Sequence, residues 1–131
     1  MAPAHDRALP YLAQDALSGV PLAVVAVALG ALAVLTILMG WLGRKGKLKP
    51  NPLFGIRTRR TLSDPEEWYR VHREIAPWAY AAGAAVLGGV VAVLLVSDGA
   101  LQSAILIAVA VVYVLLICLA VWRLQRSSAS G

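Results

Sequence analysis

His72 is the side chain in the polar middle of this 131-residue chain best suited to moving a proton near neutral pH. Glu66, Glu67 and Glu74 surround it in sequence, so a carboxylate–imidazole pair is the first chemistry to weigh. Nothing completes it. The second histidine, His5, lies beyond a long apolar stretch, and there is no HExxH helix, no workable Ser-His-Asp order and no Gly-rich phosphate loop. A histidine beside Trp68 on an apolar helical stripe reads as an interface residue. The chain is therefore read as a non-enzyme without cofactor or metal. An enzyme working on lipid head groups through His72 and Arg57 ranks last, because no nucleophile–base pair is visible.

The same loop carries a second constellation, "NPLFGIRT", from Asn51 to Thr58. Pro50 and Pro52 flank Asn51 and forbid a helix there, and Gly55 admits backbone conformations that other residues resist. Leu53, Phe54 and Ile56 are apolar, so the segment is expected to fold back on the helix ends or the membrane surface. Arg57 and Thr58 are then placed to donate hydrogen bonds, and a guanidinium suits phosphate or carboxylate. Two readings stand side by side. Asn51, Arg57 and Thr58 form a site for an anion or an acidic partner, or Arg57 and Asn51 tie down the loop backbone or pair with loop carboxylates. Just upstream, Arg44, Lys45, Lys47 and Lys49 fall within "GRKGKLK", which reads either as contact with anionic head groups or as a topology signal alone.

Three apolar stretches position these residues. The chain is 60% hydrophobic and 15% charged, against about 25% charged in a soluble domain. Runs of this length and composition read as transmembrane helices. The spans cover about 17–42, 78–96 and 101–122, within a membrane domain over 17–122. A tail over 1–16 is expected to be disordered, and a cytoplasmic tail over 123–131 ends in "SSASG", 127–131, which is also expected to be disordered. The fold class is all-α, with a cytoplasmic loop over 43–77 that carries a short amphipathic interfacial helix. In that helix Ser63 is the expected cap, with Glu66 completing a capping box. Trp68, Val71, His72 and Ile75 form its apolar stripe, Arg70 can pair with Glu66 and Glu74, and Pro77 is expected to kink or break it. Asp98-Gly99 signals a tight hairpin between the second and third spans. Cys118, alone in the third span, reads as apolar filler.

Orientation follows from charge. Nine of the twelve Lys/Arg lie in the long loop: Arg44, Lys45, Lys47, Lys49, Arg57, Arg59, Arg60, Arg70 and Arg73. Positive loops stay inside, which puts the N-terminus outside and the C-terminus in the cytoplasm. Trp41, Trp78 and Trp122 then share the cytoplasmic interface. The net charge of +5 speaks for anionic lipid rather than nucleic acid. Small residues four apart in the second span, Ala79/Gly83, Ala84/Gly88 and Ala85/Gly89, favour close helix packing and are compatible with a homo-oligomer.

Asn51, the block Phe54-Gly55-Ile56-Arg57-Thr58, Leu62 and Trp68 ten residues after Thr58 resemble the signature of the SdpI family of bacterial membrane proteins. The likeness extends to the framing, one span before the loop and a hairpin after it, over about 32–122. It implies an integral protein of the bacterial plasma membrane that gives immunity to a secreted antimicrobial peptide or signals its presence, by binding to that peptide or to a membrane-protein partner. The alternative is an accessory subunit of a larger membrane complex. Asn51, Gly55, Arg57, Thr58, Trp68 and His72 are the expected binding residues, with Trp68 as interface anchor and Gly55 setting the turn. Three departures are visible: His72 stands where the family often has Asn, Arg59 where Pro is common, and the chain has three spans where fuller members have more.

Overall fold

The computed structural model describes residues 16–129. Four helices follow in order: α1 (Gly19–Arg44), α2 (Arg59–Ser63), α3 (Pro65–Leu95) and α4 (Gly99–Ala129). The described residues contain no strand, and α1, α3 and α4 are each long and apolar enough to cross a membrane. α3 is central. α1 packs along one side of it and α4 along another, while α1 and α4 meet through side chains. At mid-depth Tyr113 finds the partner its hydroxyl needs, with Thr36 Oγ1 3.2 Å away, and Thr36 also donates to the Leu32 carbonyl at 2.7 Å.

Small residues let α1 approach α3. A Cβ added at Gly40 would lie 3.0 Å from Ala79 Cβ, and one added at Gly43 would lie 2.7 Å from the His72 carbonyl oxygen. Gly83 faces Ile37 of α1 and Gly89 faces Val109 of α4. Of the three small-residue pairs, Ala79/Gly83 is therefore used against α1 and Gly89 against α4. Ala84 and Gly88 point outward.

The hairpin between α3 and α4 is closed by Asp98, whose carboxylate accepts from Leu101 N–H at 2.7 Å at the start of α4. Gln102, 1% exposed, stitches this end together. Its Oε1 accepts from Leu17 N–H at 2.6 Å and its amide donates to the Val96 carbonyl at 2.8 Å.

Two expectations change. The helix that begins at Pro65 runs without a break through Pro77 to Leu95, so the separate interfacial helix is instead the first three turns of α3. Packing explains the continuity: Ala76 and Ala79, on either side of Pro77, both lie against Gly40. Arg73, whose carbonyl loses its helical partner, is exposed and can be solvated. The cap also moves by one residue. Asp64, not Ser63, accepts from Glu66 N–H at 2.9 Å, while Ser63 Oγ donates back to the Arg60 carbonyl.

At 1.5 Å per residue, 31 residues span about 46 Å against a hydrocarbon core of about 30 Å. The charged residues of α3 all precede Pro77, so its excess length stands outside the apolar layer on the loop side. α4 likewise continues past Trp122 as helix to Ala129, so residues 127–129, at the start of the segment expected to be disordered, are helical. Three cation–aromatic pairs mark the boundary at this end: Lys45 over Trp41 at 4.4 Å, Arg123 over Trp78 at 5.4 Å and Arg126 over Trp122 at 4.1 Å. The expected N-terminal tail, with His5 and Arg7, lies almost wholly outside the described residues.

Candidate functional site: a loop clamped on His72

The loop starts where α1 is stopped. Gly46, at φ 64°, sits just past the helix end; its N–H donates to the Gly43 carbonyl and Lys47 N–H donates to the Leu42 carbonyl at 2.9 Å. This pair of bonds is the glycine-terminated helix end expected from its chemistry. It turns the chain so that Leu48 is buried while Arg44, Lys45, Lys47 and Lys49 stay exposed. The carbonyl of Leu48 accepts from the Trp68 indole N–H at 2.8 Å. Trp68 is 0% exposed, so it is a core residue of the clamp rather than an interface anchor.

Asn51 organises the next turn. Its Oδ1 accepts from Leu53 N–H at 3.0 Å and Phe54 N–H at 2.7 Å, and its amide donates to the Lys49 carbonyl at 2.9 Å. Both bonds to Oδ1 and one of the two amide N–H groups are thus spent on the loop. Gly55 follows at φ 106°, and a Cβ there would collide with His72 Nε2 and approach Trp68 to 3.0 Å. Only glycine satisfies both the backbone angle and the close approach.

The ring beneath is His72, 1% exposed and tilted against Trp68 with centroids 4.2 Å apart. Its Nδ1 lies 2.7 Å from the Trp68 carbonyl, which can only accept, so Nδ1 carries the proton. Nε2 is then the acceptor for Ile56 N–H at 3.0 Å. Burial pushes the His72 pKa below its ordinary value, partly opposed by the Trp68 carbonyl. The ring is thus a neutral bridge between α3 and the loop. The other side of the Ile56 peptide is held too, because its carbonyl accepts from Thr61 Oγ1 at 2.9 Å.

Thr58 and Thr61 form a reciprocal cap on α2. Thr61 N–H donates to Thr58 Oγ1 at 3.2 Å and Thr58 N–H to Thr61 Oγ1 at 2.8 Å. Thr61, 2% exposed, was not singled out from the sequence, though Thr58-Arg-Arg-Thr61 has the capping-box spacing. Gly43 was also missed, since its role rests on an approach between α1 and His72 that no local pattern reveals. Beyond the cap, Arg70 holds Glu67 in two bonds of 2.9 and 2.7 Å and Glu74 at 2.8 Å, and reaches Ser128 of α4 at 3.2 Å. The expected partner Glu66 is replaced by Glu67, whose pKa the Arg70 hydrogen bonds lower.

The expected binding residues therefore divide. Asn51, Gly55, Trp68, His72 and Thr58 hold the loop together. Arg57 projects from it, exposed and without a hydrogen bond or ion pair among the described residues. A clamped loop, flanked by apolar helices and presenting a free guanidinium, is matched by a family model, the SdpI/YfhL protein family, over residues 47–122. The chain belongs to the SdpI/YfhL protein family. No curated protein and no solved structure is a match to it. The SdpI/YfhL match takes in the loop from Lys47, α2, all of α3 and α4 as far as Trp122, so the clamp and the hairpin lie inside it while the whole of α1 lies before it. With three helices able to span, this SdpI/YfhL-family chain is a multi-pass membrane protein.

Proposed function

We propose that the protein gives immunity to a secreted antimicrobial peptide, or signals its presence, by binding rather than by catalysis. Membership of the SdpI/YfhL family carries the reading. The state of His72 supports binding over catalysis: both ring nitrogens are committed to backbone partners and the ring is buried, so it has no free position for a substrate proton. Arg57 is the group that meets the anionic or acidic partner, held outward by a loop that Asn51, His72 and Thr61 fix. In this reading the protein sits in the bacterial plasma membrane with its N-terminus outside and its loop and C-terminus in the cytoplasm. Nine of twelve Lys/Arg in the loop support that orientation.

The test is a deletion strain challenged with a panel of membrane-active peptides, then complemented with wild type or Arg57→Ala. The expected result is heightened sensitivity to at least one peptide, restored by wild type and not by Arg57→Ala at equal expression. Unchanged sensitivity across the panel, with co-purification of a membrane partner, would replace this reading with that of an accessory subunit.

A further inference from the structure

We infer that the groove between α2 and the loop-side end of α4 binds an anionic phospholipid. The groove encloses about 380 Å³, and its walls change character along its length. Val71, Val121 and Leu124 line the part next to the apolar spans, and Arg59, Arg60 and Ser128 line the part beyond. A second hollow continues from it past Arg60 to Ser63 and Asp64. Val121 adjoins Trp122, one of the three tryptophans that mark the membrane boundary, so the apolar part opens where acyl chains end. From Val121 to Ala129 the α4 wall rises about 12 Å at 1.5 Å per residue. A head-group layer of about 5–8 Å and the first methylenes fit that length.

Charge decides what the outer part would hold. Glu67 is neutralised by two bonds from Arg70, and Asp64 is engaged at the N-terminus of α3. Arg59 and Arg60 are exposed, and their side chains make no hydrogen bond or ion pair among the described residues. Arg60 acts on Glu67 at longer range, but neither guanidinium is hydrogen-bonded or ion-paired among the described residues, and two such groups above an apolar floor match a phosphodiester that carries acyl chains. A soluble phosphate would gain nothing from Val71, Val121 and Leu124. A zwitterionic lipid would bring its own ammonium against the two arginines. The site is separate from Arg57, which does not line the groove, so it stands or falls independently of the proposed function.

The full-length protein in a neutral detergent is titrated with phosphatidylglycerol, phosphatidylcholine or inorganic phosphate, and the rise in melting temperature gives an apparent affinity. Phosphatidylglycerol should stabilise the wild type and the other two should not. Arg59→Gln with Arg60→Gln should weaken phosphatidylglycerol on the order of tenfold. Arg73→Gln with Arg123→Gln removes the same charge from exposed positions outside the groove and should leave the affinity within about twofold. Val121→Trp, which fills the apolar part, should also weaken it. Equal stabilisation by phosphatidylcholine or by phosphate overturns the inference, as does an equal loss in both charge-reducing double variants.

Discussion

Acidification should release the loop from α3, with His72 as the responsible group. The ring lies outside the apolar span, is 1% exposed, and bonds the Trp68 carbonyl through Nδ1 and Ile56 N–H through Nε2. A proton added at Nε2 converts the acceptor into a donor that faces another donor, and places a charge where burial already depresses the pKa. An undocked loop exposes an imidazole of ordinary pKa, about 6.5. The undocked state then binds more protons than the docked state just below that value. Docking is at full strength above about pH 6.5 and is lost as pH falls toward the lower pKa of the docked ring.

Leaving one buried N–H without its acceptor costs about 1–3 kcal/mol, or roughly 5- to 150-fold in the opening equilibrium. Hydrogen exchange at the Ile56 amide reads this directly, once corrected for the intrinsic pH dependence of exchange. Protection in the full-length protein should fall by that factor between about pH 7.5 and pH 5. His72→Gln supplies a non-titrating acceptor at similar reach and should hold protection constant with pH. His72→Leu should lose it at both values. Wild-type protection that is flat with pH, together with normal protection in His72→Leu, would refute the bridging role.

Three further outcomes follow from the packing, each read as thermal unfolding of the purified protein. Gly55→Ala should cost about 2–5 kcal/mol, from its positive φ and its collision with His72. Gly43→Ala should cost about 1–3 kcal/mol, because its Cβ would lie 2.7 Å from the His72 carbonyl oxygen; Gly88→Ala, with nothing within 4 Å, should be neutral or stabilise by up to about 1 kcal/mol. Gln102→Leu should cost about 1–3 kcal/mol by leaving Leu17 N–H and the Val96 carbonyl without their partner at the hairpin end.

The spans were legible because lipid imposes a simple demand, about 20 apolar residues in a row, that composition alone reveals. Three of the four ends of 17–42 and 78–96 lie within two residues of helix ends, at Gly19, Arg44 and Leu95, while position 78 lies 13 residues inside α3, which begins at Pro65. The errors arise where tertiary contact overrides a local rule. Pro77 signals a break, but the packing of Ala76 and Ala79 on Gly40 carries α3 through it. Trp68 sits on an apolar stripe beside the membrane, a pattern shared by an interface anchor and a core residue. What decides is the Leu48 carbonyl twenty residues away. The loop's folding back was readable from Leu53, Phe54 and Ile56, yet only Ile56 packs on the core; Leu53 and Phe54 are 80% and 48% exposed.

Asn51 and Arg57 offer the sharpest separation of architecture from recognition. Both belong to the same signature. Their physical situations are opposite. Asn51 holds three backbone groups, and Asn51→Ala removes all three bonds at a cost of about 1 kcal/mol, as for other side chains that cap backbone N–H groups. Arg57 holds none among the described residues, so Arg57→Ala should leave the melting temperature and Ile56 protection unchanged. The route from Arg57 to the rest of the molecule runs through the adjoining Ile56 peptide, fixed by His72 on one side and Thr61 on the other. From His72 the unbroken α3 leads past Gly83 against Ile37 to Gly89 against Val109. A ligand that engages Arg57 should therefore raise Ile56 protection in wild type and in Asn51→Ala, and not in Arg57→Ala. Equal responses in all three would place the contact elsewhere on the loop.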